Sequence, residues 1–372
     1  MKKKLLLIIF LILISIHTQN ICLNTEEVKE QINEEEIGQV ISKIENSNNM
    51  EIDLNEIFEG ALSGNVPKNI IIKAIGKILG KELANSLKII ISILIIIIIH
   101  SILKNICENL GNEQTGKIGY FVQLIILITI LTKVYAQIIT QVKQTLEQIS
   151  SFVYMLIPLY MSINLASGNI TTATSSQAII LVSTNIITTF INQFLIPILV
   201  IATVIGIISN ISDEVHMNKL SKYMKSISIW ILCIFLTIFT CILTMEANLG
   251  QGVDNLTAKT GKTVVSTAIP IVGKILGDTV ESVLGCANVI KNAVGALGII
   301  AVFIIGITPI IKIGIVTIFI YLISGIAEII ADKKIVYVLE QMGDSCKVLL
   351  ASIASVSMML IIGFTITMKI GI

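Results

Sequence analysis

Residues 148–212, 65 in a row between Glu147 and Asp213, carry no charged side chain. A helix crossing the roughly 30 Å hydrocarbon core of a bilayer needs about 20 apolar residues and tolerates few charges. The interval therefore exceeds any single crossing, and two or three must share it. Lipid offers the backbone no hydrogen-bond partner, so each segment that crosses has to satisfy its own amides as a helix. With 54% hydrophobic residues, 14% charged and a mean hydropathy of +0.89, a water-soluble fold is ruled against. The fold class is an all-α polytopic membrane protein.

Reading the remaining charge gaps in the same way gives spans at 89–103, 118–132 and 151–166, then 178–208 as one long helix or a pair kinked at Pro197. Further spans follow at 227–245, 292–311, 313–327 and 348–368, so seven or eight helices are expected after the N-terminal segment. Lys88 and Lys104, like Lys117 and Lys133, close short apolar runs that their snorkelling stems can lengthen. Trp230 is placed as an interfacial anchor near one end of 227–245. Pro158, Pro197, Pro270 and Pro309 are expected kinks, because proline removes a helical hydrogen bond and clashes with the carbonyl four residues earlier. His100 lies among isoleucines and reads either as a polar residue packed on a neighbouring helix or as a proton relay.

The N-terminal part has a different character. Lys2, Lys3 and Lys4 precede an apolar run over 5–16, so 1–22 reads as a signal peptide or an uncleaved anchor. Residues 23–66 form an acidic extracytoplasmic segment, with eleven acidic residues against Lys29 and Lys43 between 23 and 60. Such a run is either a solubilising face or a docking arm. In 67–88, Lys73, Lys77 and Lys81 recur opposite Ile71, Ile75 and Ile78, the pattern of a basic helix lying in the bilayer interface. The remaining divisions are a first membrane helix group (89–246), a Gly-containing amphipathic segment (247–296) and a C-terminal membrane group (297–372).

The chain carries little that could do chemistry. Net charge is +1, which excludes a nucleic-acid partner on electrostatic grounds. All 26 basic residues are lysine, so no bidentate guanidinium clamp exists. The six cysteines are scattered without metal-ligand spacing, and His17, His100 and His216 complete no catalytic set. Gly261-Lys262-Thr263 ends like a phosphate loop, but Leu256 stands where that loop requires glycine. No cofactor, metal site or enzymatic activity is expected.

Residues 264–298 are amphipathic in another way. Ile269, Val272, Leu276, Val280, Val283, Ala287, Ile290 and Val294 succeed one another by three or four residues, which makes a continuous helical stripe. The opposite side carries Lys274, Asp278, Glu281, Asn288 and Asn292. Gly273 with Gly277, and Gly295 with Gly298, offer small surfaces for close helix packing. Two readings are open: an interfacial helix whose Lys274 and Asp278 pair along one face, or a helix or re-entrant hairpin whose polar face lines an aqueous passage.

Several of these stretches resemble one family. Met155 to Met161 leading to Gly168, Ala202 to Asn210 followed by Ser212-Asp213 and Lys219-Leu220, and above all Ile269-Pro270-Ile271-Val272-Gly273-Lys274 with Asp278 and then Lys291-Asn292-Ala293-Val294-Gly295, are similar to stage III sporulation protein AE over residues 60–372. The resemblance implies a membrane subunit of a secretion-like channel complex serving endospore formation, in the mother-cell membrane around the forespore. It also implies partners: other membrane subunits, a separate cytoplasmic ATPase subunit and a forespore-side protein. The basic position written here as Lys274 can be arginine in relatives, so its charge is kept but not its bidentate geometry. A structural scaffold for the other subunits is the alternative function, and a secondary transporter ranks last because no internal repeat is visible.

The basic-then-apolar start retains the N-terminus inside and carries the acidic segment across the membrane. A reporter enzyme that works only outside the cytoplasm should therefore be active when fused after Gly60. Activity of a cytoplasm-only reporter at the same junction would reverse this topology.

Overall fold

The computed structural model describes residues 68–109, 113–211, 217–268 and 272–369. Seven α-helices occupy them: α1 (Lys68–Asn109), α2 (Glu113–Ala166), α3 (Ile170–Phe190), α4 (Ile196–Ile211), α5 (Asn218–Ala268), α6 (Val272–Ile330) and α7 (Lys333–Lys369). A π-helical turn, Ile191–Leu195, joins α3 to α4 without a break in the rod. The signal or anchor segment, the acidic segment and Pro270 lie outside the described residues.

Among the described residues, six helices are long and apolar enough to cross a membrane: Ile75–Ile102, Ile118–Ala166, Thr174–Ser209, Asn218–Asp254, Ala287–Ile330 and Lys333–Lys369. The described residues thus give six where seven or eight were expected, because two pairs of predicted spans are each one helix. Between 133 and 150 the chain has charges but no glycine or proline. Its inward positions Val134, Ile138, Val142, Leu146 and Ile149 recur every three or four residues and are buried. The segment read as a loop is therefore an amphipathic stretch in the middle of a 54-residue helix.

The second merger runs through Pro309 and the half-buried Lys312, both inside α6. A proline removes one ladder bond without stopping a helix that neighbouring helices enclose. At Pro197 the conflict is resolved differently. The amide of Ile196 bonds to the carbonyl of Ile191, five residues back, and this wider turn comes immediately before the proline. Of the two readings of 178–208, the continuous rod is the one observed.

The helices pack around α7. Its antiparallel pairing with α6 runs from Gly295 beside Met368, through Gly306 beside Ser357, to Gly343 beside the Tyr321 ring. Helix α2 runs parallel to α7 and meets the same seam, where the Tyr160 and Phe364 rings pack edge to face at 6.2 Å. Close approach here depends on missing side chains. A Cβ on Gly298 would lie 2.8 Å from Leu156 Cδ2 and 3.4 Å from the Phe364 ring. Helix α1 lies across α2 and α6, burying Ile90 and Ile93 beside Leu131 and Ile320.

Replacing Gly298 by leucine should force α6 away from α2 and α7, lowering stability in detergent by about 1–3 kcal/mol, the usual cost of overpacking. Gly314→Ala is the control, since a Cβ there meets open space and alanine favours helix by up to about 1 kcal/mol. Thermal unfolding of the purified variants compares the two.

Candidate functional site

Charged and amide side chains inside a membrane bundle are expensive, so their positions mark what the fold has been built to hold. Lys225 lies in the second turn of α5 and is 5% exposed. Its ammonium donates to the backbone carbonyl of Gln341 at 2.8 Å and to the Gln341 side-chain oxygen at 2.7 Å. One turn earlier, the Ser221 hydroxyl donates to the Ala202 carbonyl at 2.7 Å and lies 3.1 Å from the same glutamine oxygen. A Cβ on Gly206 would sit 2.8 Å from the Ser221 oxygen, so α4 reaches this point only because residue 206 is glycine.

The network continues along α7. Thr203 and Ser345 share a 2.6 Å hydroxyl contact, and Ser345 donates back to the Gln341 carbonyl at 2.8 Å. Next to it, Tyr321 of α6 donates to Asp344 at 2.7 Å. Four helices are thereby tied to one buried layer. In the sequence alone Lys225 marks no more than the edge of a span, and Gln341, Thr203 and Ser345 stand out in no way.

A second polar region lies at the other end of α7. Lys291 is fully buried on α6, flanked by Asn288 and Asn292. Asn288 accepts a long 3.5 Å bond from Asn169, in the turn between α2 and α3. That turn requires Gly168, whose φ of 79° is left-handed. Asp254 of α5 accepts the Thr171 amide at 2.9 Å and so caps the N-terminal end of α3, where unpaired amides and the helix dipole favour an anion.

The polar stripe expected from sequence falls on one continuous helix. Lys274, Asp278 and Glu281 precede the membrane-crossing part of α6, which begins at Ala287, while Asn288 and Asn292 lie within it. The side chains of Lys274, Asp278 and Glu281, and the surroundings of Gly273 and Gly277, lie outside the described residues. Gly295 and Gly298 face α7 and α2. α5 and α6 both stay helical past the level where Asp254 meets Thr171 and Asn288 meets Asn169, over 255–268 and 272–287.

A third centre joins α1, α2 and the turn between α6 and α7. His100 Nδ1 lies 2.8 Å from Gln123 Oε1 and Nε2 lies 3.2 Å from Asp332, with the Tyr120 ring packed 5.4 Å away. The histidine is thus a polar residue packed against two other parts of the bundle.

Comparison with known proteins gives this arrangement its context. The pattern that defines stage III sporulation protein AE matches residues 51–371. The chain belongs to the stage III sporulation protein AE family. It is similar to the stage III sporulation protein AE of Bacillus subtilis (strain 168), at 24% identity over 255 residues. That match covers 68% of this chain and 64%, or just under two thirds, of the relative. No solved structure matches it. Family membership and the six apolar helices make this stage III sporulation protein AE homologue a multi-pass membrane protein with a role in sporulation.

The Lys225 centre makes a testable statement about stability. Gln341→Leu leaves the buried ammonium with one fewer acceptor and should cost about 1.5–3 kcal/mol, the range for hydrogen bonds to charged groups. Lys225→Met added to it removes the charge and keeps the volume, and should restore most of the loss. Unfolding of the single and double variants in detergent supplies the cycle.

Proposed function

We propose that this chain is a membrane subunit of a secretion-like channel between mother cell and forespore, seated in the mother-cell membrane around the forespore. The observation that most supports this is α6. It carries amides in the first two turns of its span at Asn288 and Asn292, and keeps Lys274, Asp278 and Glu281 at helical spacing on the turns before the span. A purely lipid-embedded helix has no use for such a face. On this reading the polar helix extends the passage beyond the bilayer.

The chain itself performs no catalytic step in this proposal. Leu256 breaks its one phosphate-loop-like stretch, so a separate cytoplasmic ATPase subunit supplies energy. Other membrane subunits complete the complex, and a forespore-side protein meets it across the intermembrane space. The second reading, a scaffold that anchors those subunits, is favoured by the Lys225–Gln341 layer, whose hydrogen bonds close within the bundle. A secondary transporter would pair broken helices in two repeated halves. Among the described residues the π-helical turn 191–195 has no counterpart.

Asp278→Leu or Glu281→Leu should leave the protein inserted and abundant, because these positions precede the span, yet reduce heat-resistant spores by at least about tenfold. Ile269→Asp, Leu276→Asp or Val283→Asp should lower abundance itself, because each puts a charge into the apolar stripe of the sequence. Immunoblots with spore counts separate the two classes. Normal sporulation of both leucine variants would favour the scaffold.

A further inference from the structure

The middle of helix α2 has a polar outer face. Lys133, Gln137, Thr140, Gln144, Glu147 and Ser151 succeed one another at steps of four, three, four, three and four residues. All six are exposed, and Lys143 is exposed beside them. From the first to the last the helix rises about 27 Å at 1.5 Å per residue, close to the hydrocarbon thickness of a bilayer. The opposite face of the same stretch holds Val142, Leu146 and Ile149, all fully buried. Contact with the rest of the chain therefore does not account for the polar face.

The depth of this face is fixed by the hydrogen-bond partners of the buried side. Tyr135 reaches Thr203 at 3.5 Å and Ser150 reaches Thr188 at 3.4 Å, so the stripe is level with residues 188–203 of the α3–α4 rod. There the rod exposes Phe194, Pro197, Val200 and Ile201, with Thr189 and Gln193 as its exposed polar positions, so its outer side is mainly apolar. Ser221 bonds to Ala202, which brings α5 to the same level; α5 exposes Lys222 and Ser226 there and then Ile227, Trp230 and Ile234, level with the part of the stripe from Thr140 onward. One level of the bundle thus turns apolar side chains outward on α4 and α5 and polar ones outward on α2. A single surrounding medium cannot suit both.

We propose that the outer face of α2 is the wall of a water-filled passage at bilayer depth, completed by chains other than this one. The proposal rests on the channel reading and gives it a location. Water is the occupant because of the breadth and chemistry of the face. At 100° per residue, the polar and small positions from Thr132 to Gln148 cover about half the helix circumference, wider than the narrow seam by which two helices pack. Charges of both signs stand among neutral amides and hydroxyls, so no single complementary charge is called for.

Cysteine accessibility tests this on the full chain in sporulating cells, after all six native cysteines are replaced. Single cysteines at Gln137, Thr140, Gln144 and Ser151 should react with a sulfonated, membrane-impermeant maleimide at least about tenfold faster than cysteines at Val142, Ile201 or Ile234. Equal labelling at Ile201 and Ile234 would put this whole level outside the bilayer and overturn the proposal. Unreactive stripe positions would also overturn it. A disulfide between copies through Gln144→Cys would then identify a seam between two chains. Spore counts are read separately. Labelled stripe cysteines together with normal sporulation of a Gln137→Leu, Gln144→Leu double variant would keep the wet wall and remove the channel function.

Discussion

Gln341 sits on α7, against which α6, α5, α4 and α2 all pack, and offers two oxygens to one ammonium. Isolated in hydrocarbon, either partner would be strongly unfavourable; together they satisfy each other. Because Lys225 and Ser221 of α5 meet Gln341, and Thr203 of α4 meets Ser345 one turn further along α7, satisfying this layer sets how deep these helices insert relative to α7. Apolar packing in lipid is poor at setting such a register, since one leucine contact resembles the next and lipid tails compete with it. A hydrogen-bonded layer distinguishes one register from its neighbours. The rest of the bundle is aligned by it: α6 through Tyr321 and Asp344, and α2 through Tyr135 against Thr203.

Helices as long as α2 and α6, with 54 and 59 residues, rise about 80–90 Å and far exceed one bilayer. Their length is tolerated because each changes its dress along the way. In α6 the later half is apolar and tightly packed on α7, whereas the turns before Ala287 carry charge. In α2 the inward face is mostly apolar, with Gln123, Thr145 and Asn164 buried among the aliphatic side chains, while the outward face alternates between isoleucine, polar side chains and again apolar ones. The prolines fit the same scheme. Pro309 is buried where neighbouring helices enclose the rod, Pro158 sits on the exposed side of α2, and Pro197 comes after a π turn that leaves room for its ring.

How much of this the sequence discloses depends on which physical variable is at stake. Apolar runs between lysines locate the lipid-facing segments well, and the helical class is a direct consequence of them. The length of each helix is not, because Lys133, Lys143 and Glu147 are compatible with both a loop and a half-exposed helix. Only the direction of their side chains decides between these, and that depends on burial of Val134 to Ile149 against other elements. The Lys225–Gln341 layer is invisible for another reason: its partners lie 116 residues apart, and no local spacing links them. A lysine at the edge of an apolar run has the same sequence appearance whether it snorkels to the interface or turns inward. Asn288 and Asn292 are legible as part of an amphipathic pattern, while burial of Lys291 between them is not.

The two sides of the bundle impose different requirements on the surroundings. Along α5, Ile227, Trp230, Ile234, Ile238, Ile242 and Met245 point outward over several turns, a surface matched to lipid and giving no reason for a protein neighbour. The outer face of α2 has no such match at equal depth. A bundle with one lipid-compatible side and one lipid-incompatible side has a built-in orientation within any larger assembly: α5 must face outward and α2 inward. Internal pairing of polar groups, as at Lys225, His100 with Gln123, and Asn169, reaches the inner side of α2 and stops short of its outer face. Those groups stabilise the bundle's own packing, whereas the polar outer face of α2 stays exposed on its surface.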